Sequence, residues 1–440
     1  MVGGGRLKTM KGNGNLLSCG KLKDKIERGG ADVVFRDLYP NSNTELCRSR
    51  YTRLIDAHAL TFGGSPTLFS APGRTELGGN HTDHQHGKVL CAAVDVDMIA
   101  CTSANSCGVI RVSSEGFPGF EVALDCSKPV DSEAGSPAAL VRGIAAAVKS
   151  LGFEPTGLDI SVSSDVPAGS GLSSSAAYEV LIGNIFNSFC CNSSLGPIEI
   201  ARIGQFAENR FFGKPCGLMD QAASALGSLA MIDFKDDRFP EVKRLTCTLS
   251  EFGYALCIID CGADHADLTN EYGSITAELS EISGALRAAY LRQADEGEFI
   301  SRITELRRAA GDRAVLRAMH IFDENRRVCR QASALARGDF DSFLRLVYES
   351  GLSSWRFLQN VVPLGASQHQ DLAFALALCE RLLGGNGVCR VHGGGFAGTL
   401  QAFVRLDTLS EFRQGVEAAL GQGACRVMDF RARGGCKLDI

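Results

Sequence analysis

Residues 165–180, DVPAGSGLSSSAAYEV, set two glycines and four serines between an acidic residue and an apolar run. The stretch follows a strand-like segment, GLDISVSSDVP, and turns helical after Gly171, where Ala and Leu dominate and no proline interrupts. Glycines here let the backbone take positive φ and approach a ligand closely. A helix start adds unpaired N–H groups and the positive end of its dipole, which favour an anion. Serine hydroxyls supply further donors, and one of them can ligate a metal. This geometry suits nucleotide phosphates, although GxxxxGK[ST] is absent and no lysine follows the glycines. The same residues also fit a plain capped helix, with Ser173, Ser174 and Ser175 at its N-terminus.

Two other stretches favour the phosphate reading. APGRTELGGNHTDHQHG (71–87) gathers Arg74, Glu76, Asn80, His81, Asp83, His84 and His86 around four glycines. So many donors and acceptors suit a polyhydroxylated ligand, each of whose hydroxyls needs a partner. Metal ligation by His81, His84 and His86 competes with that reading but lacks the i, i+4 spacing of a helical site. RVHGGGFAGTLQAF (390–403) puts three glycines before an apolar strand, either a second loop over phosphates or a tight turn.

Taken together, these stretches resemble the motifs of galactokinases within the GHMP kinase superfamily. APGRTELGGNHTDHQHG is similar to the galactokinase pattern APGRVNLIGEHTDYNxG, and DVPAGSGLSSSAAYEV to PxGxGLSSSAxxEV. FAENRFFGKPCGLMDQ (206–221) resembles AExxFxGxPCGIMDQ, and RVHGGGFAGT resembles RxTGGGFGG. The match extends from about residue 35 to the C-terminus, with all blocks in the family's order. The resemblance implies an ATP-dependent sugar 1-kinase of the GHMP fold: an α+β protein of two domains with the active site in the cleft between them. It assigns Gly169, Ser170, Gly171, Leu172, Ser173, Ser174 and Ser175 to the ATP phosphates, and Ser175 with Glu208 to Mg2+. Asp220 falls on the catalytic aspartate and Arg74 on its arginine partner, while Asn80, His81, Asp83, Gly217 and Tyr272 fall at the sugar. Phosphoryl transfer needs positioning and charge neutralisation more than covalent help, which this set can supply.

Three departures bear on the substrate. Asn80 stands where the pattern has the glutamate that contacts the exocyclic hydroxyl, and His84 stands in place of a tyrosine. An amide would accept the carboxylate of a uronic acid that a glutamate repels, and a nearby protonated histidine would help. HTDHQ is also similar to the HIDHQ of galacturonate kinases, so galacturonate stands beside galactose as a substrate. GSPAALVRG (135–143) lacks the tryptophan of the pattern GSWxNYVRG, which could stack on adenine. A non-catalytic sugar sensor is the third alternative, although the phosphate loop, Arg74 and Asp220 are all present.

Strands are expected at 67–74, ending in a Pro-Gly break, at 88–104, on both sides of the GFPG turn, and at YALCIIDCG, with a pair around 388–404. Helices are expected at 35–63, 137–153, 197–213 and 272–350. The interleaving is irregular, which favours an α+β class over a doubly wound sheet. With 440 residues the chain exceeds one ordinary core, and charge with a proline near 232–250 marks the crossover between domains. The expected division is a flexible leader (1–30), an N-terminal kinase domain (31–235) and a C-terminal one (236–440). The leader is rich in glycine and lysine, lacks the apolar centre of a secretory signal, and reads as a mobile segment or a helix that forms only late. A net charge of −5 implies no nucleic-acid surface, and no apolar run is long enough for a membrane. Seventeen scattered cysteines without a CxxC pair read as buried thiols in a reducing cytoplasm. The sequence leaves the oligomeric state open, a monomer being compatible with it.

Overall fold

In the computed structural model, β-branched and small apolar residues at 67–78 and 88–104 pair as a long antiparallel ladder, β1 (Thr67–Gly78) against β2 (Lys88–Ala104). The structure describes residues 17–440 except 41, 126, 127, 168, 170 and 263–267. β3 (Val109–Ser114), β4 (Phe120–Ala123), β5 (Leu158–Ser164), β6 (Leu229–Asp233) and β7 (Glu241–Leu245) follow along the chain. Then come β8 (Tyr254–Asp260), β9 (Gly387–Val391), β10 (Thr399–Arg405), β11 (Cys425–Met428) and β12 (Cys436–Lys437). The first sheet runs β12-β1-β2-β5-β3-β4, with β6 on the other end of β2 and β7 on β6. The second runs β11-β8-β10-β9. Among the described residues every pairing is antiparallel except β3 with β5.

Alternation along β1 and β2 divides the interior. Phe69 and Ala100 point into the main core, whereas Leu68, Ile99 and Cys101 point into a smaller one beneath the N-terminal helices. β1 is buried along its whole length, so its polar residues must be paired inside the protein. The expected break at Pro72-Gly73 is instead a register shift within the strand, followed by a second between Glu76 and Gly78. Such irregularities re-aim side chains, and here the shifted segment carries Arg74 and Glu76. The Arg74 amide donates to Leu172 O at 3.0 Å, tying β1 to the start of the glycine-serine stretch.

Two expectations near the N-terminus need correction. The helix foreseen over 35–63 is two, Asp32–Leu38 and Thr44–Thr61, because Pro40 cannot continue a helix and Asn43 caps the second by accepting from the Glu45 amide. The described part of the expected flexible leader contains a helix, Cys19–Glu27, whose Leu22 and Ile26 are buried with Phe35, Tyr51 and Leu54. A lysine-rich exterior concealed that apolar stripe. The C-terminus meets this region too, since β12 pairs with β1 and Leu438 joins the same cluster.

The second sheet buries its face against helices Asp371–Leu383 and Leu409–Leu420. Helices Thr269–Ala285 and Ile303–Ala336 form a further cluster that brings Phe396 and Leu358 alongside. The mixture of sheets and helices is the α+β class read from the sequence. Among the described residues, no helix is long and apolar enough to cross a membrane.

Candidate active site

Asp220 lies in the first turn of the helix Met219–Leu226, and Arg74 reaches it from β1. The guanidinium donates through Nε to Oδ1 at 2.7 Å and through Nη2 to Oδ2 at 2.6 Å, a two-pronged pair that fixes both planes. Its Nη1 donates to Gly171 O, and the Ser173 hydroxyl donates to Asp220 Oδ2. Burial would raise the Asp220 carboxyl, yet Arg74 and the Ser173 hydroxyl outweigh it and hold the group below the usual carboxylate range. Its side chain is 30% exposed, so a ligand can reach it. The result is an ionised carboxylate with a fixed direction.

The same contacts answer the helix-capping alternative. Ser173 precedes the helix Ser174–Cys190 in the left-handed region (φ 60°), and its hydroxyl makes no capping bond to that helix. It goes to Asp220 instead, so the first-turn N–H groups remain available to an anion. Gly169 and Gly171 also have positive φ, 72° and 66°, which glycine adopts without strain. Leu172 is buried, while Ser174 and Ser175 are partly exposed at the helix start. Ser170 lies outside the described residues. The third glycine motif packs directly on this turn, because a Cβ at Gly171 would overlap the Thr399 hydroxyl and lie 3.0 Å from His392 Nδ1.

Around the sugar loop the expected residues divide. A Cβ at Gly217 would run into the Asp83 carboxylate, so these two assigned positions are in contact. His81 Nε2 donates to Gly394 O at 3.0 Å, and the Tyr272 hydroxyl donates to Gly395 O at 2.8 Å. Burial, with His84 stacked 5.9 Å away, pushes His81 down to about 3, so it is a neutral donor.

Asn80 is different. It is fully buried, with Nδ2 donating to Glu76 Oε2 at 3.1 Å and Gly393 O at 2.7 Å. Its Oδ1 accepts from Ser354 Oγ at 3.1 Å and Asn360 Nδ2 at 2.9 Å. With every hydrogen-bonding position taken by protein, Asn80 has none left for a sugar, and its expected role as a sugar ligand is corrected to that of a loop brace. Relative to the quoted pattern, asparagine and glutamate have exchanged places at 76 and 80. The carboxylate has moved one helical-turn's worth of sequence upstream, where Arg390 pairs with Glu76 at 2.6 Å.

The expected Mg2+ position can be tested on its buried acids. Glu208 starts a π-helical turn, Glu208–Phe212, after the helix Pro197–Ala207. Its Oε2 shares Gln221 Nε2 with Glu179 Oε2, both at 2.9 Å. Glu179 is fully buried, and its other carboxylate oxygen has no hydrogen-bond partner. Burial first, then the nearby Glu208 charge, raise its carboxyl well above the usual range. Ser175 lies four residues before Glu179 on one helix and so on the same face. A hydroxyl beside concentrated, incompletely neutralised oxygens fits a hard cation. Among the described residues, no group of three or more His, Cys, Asp or Glu forms a complete cation cage. A site with few protein ligands suits Mg2+, which keeps several waters.

Glu179, Gln221, Arg390 and His392 are thus part of the constellation, although the sequence assigned them no role, and Glu76, counted among the loop's polar groups, pairs with Arg390. Glu179 and Gln221 lie inside recognised motifs, AAYEV and MDQ, where an acid and an amide on mostly apolar helix faces were the available signal.

These observations agree with comparisons to known proteins. Residues 139–228 match the model of the GHMP kinases N terminal domain, and residues 56–104 match the galactokinase galactose-binding signature. A galactokinase of Actinobacillus pleuropneumoniae serotype 5b is 33% identical over 344 residues, covering 78% of this chain and 86% of that one. One from Streptomyces coelicolor is 30% identical, covering 84% and 93%. Among solved structures, Lactococcus lactis galactokinase complexed with galactose superposes with a TM-score of 0.76 at 25% identity, covering 88% of this chain and all of that one. A mevalonate kinase shares the fold alone, with a TM-score of 0.58 at 15% identity.

Proposed function

The chain belongs to the galactokinase family of GHMP kinases, and on that premise we propose that it transfers the γ-phosphoryl group of ATP to the anomeric hydroxyl of galactose. The observation that carries this reading is the Arg74–Asp220 pair bonded to Ser173 and Gly171, which joins the base to the phosphate loop. Asp220 orients the anomeric hydroxyl and accepts its proton as that oxygen bonds to phosphorus and the bond to ADP breaks. A carboxylate held below its usual range is a weak base, which suffices when the transition state is loose and the proton leaves late. Arg74 keeps Asp220 ionised and aimed.

The turn Gly169–Ser175 cradles the phosphates through backbone N–H groups and hydroxyls. Ser175 and Glu208 hold Mg2+, with Glu179 behind them. Bound there, the ion supplies neutralisation of phosphate charge. Asp83, His81, Gly217 and Tyr272 line the sugar. Domains of residues 31–235 and 236–440 flank the cleft, with β7 and β12 of the second returning to pair in the first sheet, and the buried free thiols support a reducing, cytoplasmic setting.

The case for a uronate rested on an amide free to bind a carboxylate and on a protonated histidine. Asn80 is consumed by protein contacts, so the amide that His84 was to assist is not free for a carboxylate, which supports galactose over galacturonate. The test is ATP- and Mg2+-dependent turnover of the two sugars side by side with purified protein. Galactose turnover with at most a trace from galacturonate is expected, and turnover of galacturonate alone would overturn the substrate assignment.

Gly171→Ala probes the phosphate turn. The added methyl meets Thr399, and the residue must hold φ 66°, so the turn has to open. We expect KM for ATP to rise about tenfold, the equivalent of ~1.4 kcal/mol in binding. An unchanged KM for ATP would remove Gly171 from the cradle.

A further inference from the structure

His392 is fully buried where the third glycine motif meets both other loops. The quoted galactokinase patterns have threonine at this position and valine at 75; this chain has His392 and Thr75, and the two touch. Thr75 Oγ1 lies 3.1 Å from His392 Nε2, and the Glu76 amide points at the same nitrogen from 3.4 Å. An amide can only donate, so Nε2 is an acceptor and the ring's single proton sits on Nδ1. That Nδ1–H donates to Thr399 Oγ1 at 3.1 Å. Gln401 Nε2 donates to Thr75 Oγ1 at 2.6 Å, leaving the Thr75 hydroxyl proton for His392. The hydrogen bonds along the chain Gln401–Thr75–His392–Thr399 then all run in one consistent direction.

The ring's Nδ1–Cε1 edge meets the phosphate turn. Its Nδ1 is 3.0 Å from where a Cβ of Gly171 would stand, so the imidazole backs the turn whose carbonyl holds Arg74 Nη1. We propose that His392 is a positioning residue: a neutral imidazole wedge that fixes the Gly171 turn against β1 and thereby aims Arg74 at Asp220. Burial, together with Arg74 and Arg390 on either side, lowers the imidazole well below its ordinary value, in keeping with the single-proton assignment. A threonine at 392 is too short to span from Thr75 to Thr399 by itself. The change at 75 supplies the hydroxyl that the longer ring requires.

The inference rests on the kinase reading above, and wild-type turnover of galactose separates the two: its absence fails that reading, its presence leaves His392 to be judged alone. The experiment measures kcat, KM for ATP and sugar, and thermal midpoint for wild type, His392→Ala, Thr75→Val and the double variant. His392→Ala is expected to lower kcat at least tenfold per folded molecule, with KM for sugar within about threefold. Thr75→Val removes the hydroxyl at constant volume and is expected to lower kcat about threefold in wild type and not at all in the His392→Ala background. His392→Gln, whose carbonyl reaches the place of Nε2, should recover part of the kcat loss. A kcat for His392→Ala within twofold of wild type, or independent losses that multiply in the double variant, would overturn the proposal. If His392→Ala does not fold, Thr75→Val alone decides, and an unchanged kcat there overturns it.

Discussion

Asp220→Asn should lower kcat by roughly 10²–10⁴, the usual contribution of a positioned general base. In barrier terms that is about 3–5 kcal/mol at 1.36 kcal/mol per decade. The amide has nearly the same shape, so Arg74 and Ser173 stay close, but it cannot take the anomeric proton and carries no charge. Arg74 then faces an uncharged partner, and its two-pronged contact is broken because one arm of the amide donates rather than accepts. ATP affinity should change by less than about threefold, since the Gly169–Ser175 turn is also tied to β1 by the Arg74 amide donating to Leu172 O and packs against Thr399. Isothermal titration with a non-hydrolysable ATP analogue, run beside the rate assay, separates the two effects. A kcat within tenfold of wild type would take Asp220 out of the chemistry.

Removing the cation is the second large effect. Arg74→Ala is expected to cost about 10²–10³ in kcat, comparable to losing one preorganised electrostatic contact in an active site. It also has a signature in pH. The active form is the carboxylate, so activity falls as pH drops through the Asp220 pKa. In the wild type Arg74 and Ser173 hold that pKa below the usual range, and Asp220 imposes no acid limb near neutrality. Without Arg74, burial dominates and the carboxyl rises, so the acid limb of the kcat profile should move upward in pH. Arg74→Lys keeps a charge but not the fork that spans both Asp220 oxygens and Gly171 O, and we expect it to recover less than a tenth of the lost rate. A profile for Arg74→Ala that coincides with wild type would contradict this coupling.

What could be read in advance depended on whether a residue's role is local or assembled. The phosphate turn is local: its glycines, serines and following helix are contiguous, and the positive φ of Gly169 and Gly171 follows from residue type. Arg74 and Asp220 are 146 residues apart, and only whole-motif resemblance paired them before the structure did. Asn80 was misread because its neighbours in space, Ser354, Asn360 and Gly393, come from the far end of the chain and exhaust its amide. The exchange of asparagine and glutamate between 76 and 80 becomes meaningful only once Arg390 is seen beside Glu76. Near the N-terminus, the Cys19–Glu27 helix was concealed because two buried residues among lysines give too weak a periodicity to stand out, while Tyr51 and Leu54, which cover them, lie on a later helix. Pro40 was the readable signal for the break between the first helices, and the helical pattern on both sides of it outweighed it.

The central claim is transfer to the anomeric oxygen, and the most direct measurement is the phosphorus-31 NMR spectrum of the product formed from galactose, ATP and Mg2+. The account predicts a sugar phosphate whose phosphorus couples to the anomeric proton, formed by wild type and lost in Asp220→Asn. A phosphate coupled to the exocyclic methylene protons, or inorganic phosphate alone, would contradict it.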